Sequence, residues 1–194
     1  YHMEKISLND IVGAKIYEQK RVAFRHEVIS LKKHRRVSVG DKVSLVFENR
    51  ATVIFQIQEM LRAEGIRDLD KIREEIDVYN ELIPELGELR ATLFLEIEDQ
   101  TNLRDELLKF LGIDERVFLR ISDDHTIRAR FEEGRSKEDK ISAVQYVVFG
   151  LTSDETEAFR GRNARIVVDH ENYHAETVLT AATKAELLQD LAVT

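Results

Sequence analysis

The sequence predicts an α+β fold: an antiparallel β-sheet of about six strands with N-terminal helices packed on one side. Apolar residues recur at three- and four-residue spacing through roughly the first eighty positions, and from Glu88 onward the period changes to two. Connections between the periodic segments are short, and no repeat or low-complexity stretch interrupts them. A chain of 194 residues with a single proline can bury a continuous core without metal or disulfide staples. One domain is therefore expected over residues 4–194, with residues 1–3 (Tyr1-His2-Met3) read as a tag remnant and the natural start at Met3.

The opening helix is expected over residues 9–36, with Tyr17, Phe24, Val28 and Leu31 as its core stripe. The helical wheel gathers Arg21, Arg25, Lys32 and Arg36 beside that stripe, and puts Val22 and Ile29 on the far flank. Gly40-Asp41 then marks a turn, and the alternation of Val43, Leu45 and Phe47 reads as a strand. A second helix from Arg50 buries Val53, Ile57, Met60 and Leu61 and ends at Gly65, a C-terminal cap. Phe55 points the other way, either beneath a second layer or as the apolar centre of a homodimer interface. Asp68 caps a third helix whose seam of Leu69, Ile72, Ile76, Tyr79 and Ile83 runs to Pro84, completing an αα-hairpin.

From Glu88 the pattern turns Leu89, Ala91, Leu93, Leu95 and Ile97 to one face of a strand. A short helix near 100–111 precedes a β-hairpin in which "RVFLRIS" and "TIRARFE" flank "DDH", with Val117, Leu119, Ile121, Ile127, Ala129 and Phe131 inward. Arg120, Arg128 and Arg130 then share the outer face, where pairing with Glu96 and Glu98 is their ordinary role. Residues 132–140 read as a charged flexible loop and "ISAVQYVVFGL" as a central strand. A short helix at 153–160, the strand "ARIVVD", a strand or turn through 175–180 and the helix "KAELLQDL" complete the chain.

The absence of cysteine excludes disulfides, thiolate catalysis, thiolate zinc sites and protein-held iron–sulfur clusters. No apolar run approaches the roughly 20 residues of a membrane-spanning helix, so a cytoplasmic protein without a membrane partner is expected. The net charge is -8, yet residues 20–36 carry seven Lys/Arg against one Glu, a local +6 that leaves -14 elsewhere. That polarity suggests an anion or acidic-partner site at Arg21, Arg25 and Arg36, weighed against the commoner case of cationic side chains lying over apolar neighbours. The acidic remainder repels nucleic-acid phosphates, so nucleic-acid binding through helix 20–36 ranks last.

No phosphate loop, dinucleotide fingerprint or serine nucleophile elbow occurs. "FENRATVIFQIQE" clusters Glu48, Asn49, Arg50, Gln56, Gln58 and Glu59 beside an apolar seam, a set that either binds a small polar ligand or ties the helix to the sheet. "DHENYHAE", residues 169–176, contains H-E-x-x-H. In that signature His170 and His174 hold a metal and Glu171 activates its water, which requires a helix bringing positions i and i+4 together. Here the motif leaves a β-patterned run, so the expected structure is a strand end with Asp169 and His170 bonding a turn. A metal-dependent enzyme built on the Asp169-His170 region is the runner-up reading.

The strings "FENRATVIFQIQEMLRAE", "YNELIPELGELRATLFLEIED" and "ISAVQYVVF" resemble the bacterial family catalogued as domain of unknown function 3501, from Met3 to the last helix. The resemblance implies no assigned reaction. It implies gene neighbours that are a rubrerythrin and an iron–sulfur protein similar to a heterodisulfide reductase subunit, and so a role beside peroxide or electron-transfer chemistry. It also implies a pattern matched here by Asp169, His170, Tyr173, Ala175 and Glu176, from which Glu171 and His174 depart. The expected function is an accessory or binding protein of a redox, oxidative-stress system, docking a protein partner rather than acting as an enzyme.

Overall fold

The computed structural model describes residues 3–132, 136–137 and 140–192. Tyr1 and His2 of the expected tag remnant, and most of the expected loop at 132–140, lie outside the described residues. After a 3-10 turn at Leu8–Asp10, Gly13 opens α1 (Ala14–Lys32). Strands β1 (Arg36–Val39) and β2 (Val43–Phe47) form a hairpin around Gly40. Helix α2 (Arg50–Glu64) begins at Asn49, whose side chain accepts from the Thr52 amide at 3.0 Å while the Thr52 hydroxyl accepts from the Asn49 amide at 2.9 Å. It ends at Gly65 in the left-handed region, φ 62°, the cap expected of a glycine there. Asp68 caps α3 (Leu69–Tyr79), and a 3-10 turn at Asn80–Leu82 replaces its last turn before Pro84.

The remaining elements are β3 (Glu88–Leu95), α4 (Leu103–Leu108), β4 (Val117–Ser122), β5 (His125–Arg128), β6 (Arg130–Phe131), β7 (Ser136–Lys137), β8 (Lys140–Ile141), β9 (Val144–Gly150), α5 (Ser153–Gly161), β10 (Arg165–His170), β11 (Tyr173–Val178) and α6 (Ala181–Ala192). They form two antiparallel sheets, ordered β1-β2-β3-β9-β6 and β11-β10-β4-β5, with β7 and β8 as a small separate ribbon. The α+β class is as expected, but the strand count exceeds six and the strands divide between two sheets.

The division occurs where the pattern looked continuous. Ala129 donates to Val117 O at 2.9 Å as the last rung beside β4, and at Arg130 the chain crosses to pair with Val148 of the other sheet. Val117 through Phe131 keep their alternation across this switch, because a period of two marks a half-buried strand without naming its sheet. Inner-face residues of both sheets, among them Leu45, Leu93, Phe149, Leu119, Ile166 and Val168, share one apolar cluster, which Phe159 of α5 and Leu187 and Leu191 of α6 complete.

On the outer face of the five-stranded sheet a second cluster joins Val53, Ile57 and Leu61 of α2 to Ile76 of α3 and to Leu82 and Ile83. Helix α1 lies over α2: Phe24 meets Phe55 with ring centroids 5.8 Å apart, and the Lys32 ammonium stands 5.6 Å from the Phe55 ring. The first helix is shorter than its apolar stripe suggested. It stops at Lys32, and Arg36 opens β1, where Val37 and Val39 enter the core.

Candidate functional site

The H-E-x-x-H segment is a two-residue hairpin turn between β10 and β11. Asp169 pairs with His174 and His170 with Tyr173, so His170 and His174 lie on opposite faces of the sheet. His170 is buried; its Nε2–H donates to Leu111 O at 2.7 Å and its Nδ1 accepts from the Asn172 amide at 3.1 Å. Those two bonds use both ring nitrogens, leaving no lone pair for a metal. His174 is exposed, with Nδ1 3.1 Å from Asp169 Oδ1. Among the described residues no group of three His, Asp or Glu side chains converges as a metal site.

The basic residues of 20–36 do not form one row. Arg21 donates from Nε and Nη2 to Glu59 at 3.0 and 2.9 Å, and Tyr17 donates its hydroxyl to the same carboxylate at 2.8 Å. Arg21 holds the Glu59 carboxyl below its usual range, whereas burial and that carboxylate push the Tyr17 phenol up. Arg25 is exposed on α1. Arg36 sits on β1 with its guanidinium 3.9 Å from Glu96 and 5.8 Å from the Phe94 ring. Arg35, not singled out by the sequence, is 1% exposed and grips Asp190 of α6 with two bonds of 2.8 and 2.9 Å, with Glu186 at 3.1 Å. Phe55, the residue that motivated a homodimer face, is half-buried beneath α1.

The cluster around the start of α2 is likewise turned inward. Glu48 is 2% exposed and accepts hydroxyl bonds from Thr52 and, at 2.9 Å, from Thr92, with Gln56 also bonded to it. Burial pushes its carboxyl above the usual range, against the pull of these donors. Arg50 bonds Asp10 at 2.6 Å and Glu4 O at 3.2 Å, tying the N-terminal segment to α2. Gln58 accepts from the Val12 amide at 2.8 Å and donates to Val12 O at 3.2 Å. Of the outer-face arginines, Arg120 approaches Glu176 at 3.9 Å and Arg130 approaches Glu88 at 3.4 Å, in place of the expected Glu96 and Glu98.

An open groove of about 770 Å³ runs between the start of α1 and the α2–α3 hairpin. Its apolar floor includes Leu61, Ile66 and Ile72, and Leu69, the first residue of the α3 seam, is 54% exposed at its edge. Arg62 on the rim is paired with Glu18, while Lys15 and Arg67 have no ion-pair partner among the described residues. Gly13 caps α1 without a side chain and the first turn has no acidic residue, so the partial positive charge of this helix end also opens there. Lys15 and Arg67 escaped sequence reasoning; the available signal was an apolar residue, Leu69, at the exposed first position of α3.

The family model for a protein of unknown function, DUF3501, matches residues 5–191. The chain belongs to the DUF3501 family. It is similar to a crystal structure described as a novel protein of unknown function from Burkholderia pseudomallei K96243, with 33% identity and a TM-score of 0.90 over 97% of this chain and 100% of that one. No curated protein matches the chain.

In this DUF3501 protein the residues of the 169–176 pattern serve the fold. The Tyr173 hydroxyl donates to Val39 O at 2.5 Å and accepts from the Lys42 amide at 3.1 Å, bracing the β1–β2 turn. It lies over Gly40, at φ 75°, where any Cβ would overlap the hydroxyl and crowd Ala175. Glu176 accepts from Arg165 at 2.7 Å, Asp169 faces His174, and His170 fastens the hairpin to Leu111.

Proposed function

We propose that this DUF3501 protein is an accessory binding protein that docks a protein partner of a rubrerythrin and iron–sulfur redox system. The observation that carries the reading is the groove: Arg21, Arg35 and His170 are bonded within the fold, whereas the groove offers to the outside an apolar floor and two cations, Lys15 and Arg67, that are unpaired among the described residues. With no cysteine, the chain has no thiolates to hold a cluster, so docking is the contribution left to it. The redox assignment draws on the gene neighbourhood that the family resemblance implies.

The test is sedimentation velocity of the purified chain mixed with the rubrerythrin and with the iron–sulfur protein encoded beside it. A faster-moving complex with one of them at micromolar concentration, abolished by Leu69→Asp, is expected. No complex with either, or one indifferent to Leu69→Asp, refutes the reading.

A further inference from the structure

The groove is lined by α1, α2 and α3 and by the connecting residues Val12-Gly13 and Gly65–Arg67, with no strand among them, and that decides what kind of segment can lie there. An extended peptide needs a sheet edge whose N–H and C=O groups are unpaired, as in strand addition. No lining residue belongs to a strand, so the groove has no sheet edge to pair an extended guest along its length, and such a guest would leave most of its backbone polar groups unsatisfied over Leu61, Ile66 and Ile72. A helical guest satisfies its own backbone and presents only side chains. The groove is concave, which suits a rod-like guest and not a flat lipid surface.

Charge selects among helices. The protein as a whole is acidic at -8, yet the groove rim is locally positive. Arg62 is neutralised by Glu18, whereas Lys15 and Arg67 remain uncompensated among the described residues, and the uncapped start of α1 adds its dipole to theirs. All three features favour carboxylates on the guest and disfavour ammonium groups.

We propose, resting on the docking reading above, that the groove receives one amphipathic α-helix of a partner protein, apolar along one face and acidic along its flanks. The apolar face fills the floor with residues at i, i+3 or i+4 and i+7, and the flanking Asp or Glu meet Lys15 and Arg67.

The experiment pans a phage library of randomised 14-residue segments on the full chain, with the Leu69→Asp chain as counter-target, and measures winning peptides by fluorescence anisotropy. The expected winners carry the helical apolar spacing with Asp or Glu beside it. They bind the K15E/R67E chain at least tenfold more weakly, and peptides with the acids exchanged for Lys regain binding to that variant. Basic, non-amphipathic or groove-independent winners overturn the proposal, as does a panning without enrichment. Co-sedimentation with phosphatidylglycerol vesicles, lost in the Leu69→Asp chain, would assign the groove to lipid and overturn it too. If the partner complex forms and depends on Leu69 while winners are basic or extended, the docking reading stands and this inference alone fails. The substituted positions are exposed, so folding of the variants, checked by circular dichroism, is retained.

Discussion

The two faces of the five-stranded sheet are covered differently. Its inner face meets the second sheet in one large apolar cluster, closed by α6 through the buried Arg35–Asp190 pair. Its outer face carries a smaller cluster under α2 and α3, with the carboxylate of Glu48 held between Thr52 and Thr92. Burial acts to lower the pKa of Arg35, yet Asp190 and Glu186 keep it above its ordinary value; Glu48 has hydroxyl and amide donors and, among the described residues, no ion-pair partner. The inner side is sealed by complementary charges, and the outer side tolerates a lone buried acid and leaves a groove at its margin. The inner side is thus closed by a charge pair, and the helical layer leaves an open groove at its margin.

Breaking the ion pair should have the largest effect. Asp190→Ala leaves Arg35 charged and buried without its main partner and is expected to cost about 3–5 kcal/mol, read by urea unfolding. A loss below about 1 kcal/mol would mean that α6 is held by packing alone. Gly40→Ala comes next, at roughly 1–3 kcal/mol, because the substitution strains a positive φ and displaces the Tyr173 hydroxyl from the β1–β2 turn. A neutral outcome there would show that the β11 stitch does not brace the two sheets.

Glu48→Gln sharpens the contrast through pH. A carboxyl whose folded pKa is raised favours folding at low pH, and that contribution disappears as pH rises through the folded value. Wild type should therefore lose stability relative to Glu48→Gln as pH climbs above about 4.5, the ordinary carboxyl value, seen as a widening difference in Tm. A difference that stays flat with pH would show Glu48 to be ionised without penalty. The smallest stability effect belongs to the groove: K15E/R67E should change unfolding free energy by no more than about 0.5 kcal/mol while weakening helix binding at least tenfold. A large destabilisation would mean that the rim is part of the fold's support.

The helices, their caps and the inward residues of nearly every strand were legible because they depend on neighbours three, four or two positions away. Gly65 and Asp68 act at the helix ends where their local patterns place them. The exit from α1 was not legible, since Arg36 continues the helical wheel and joins a strand only because β2 is there to pair with it. The candidate site was less visible. Arg21 and Glu59, Arg35 and Asp190, and Lys15 and Arg67 each meet or share a surface across long stretches of chain, and residue spacing does not encode such distances.

What the sequence alone determined is the α+β class, the order of elements, the lack of thiolate chemistry and the extended backbone at His170. Tertiary structure alone decided that Ala129 passes the chain between sheets, that the two histidines of the zinc-like string face opposite ways, and that a cationic groove opens beside α1. The reason is physical. Periodicity and capping are local free energies summed over a few residues, whereas sheet membership and surface shape follow from which apolar faces bury each other, a property of the whole chain.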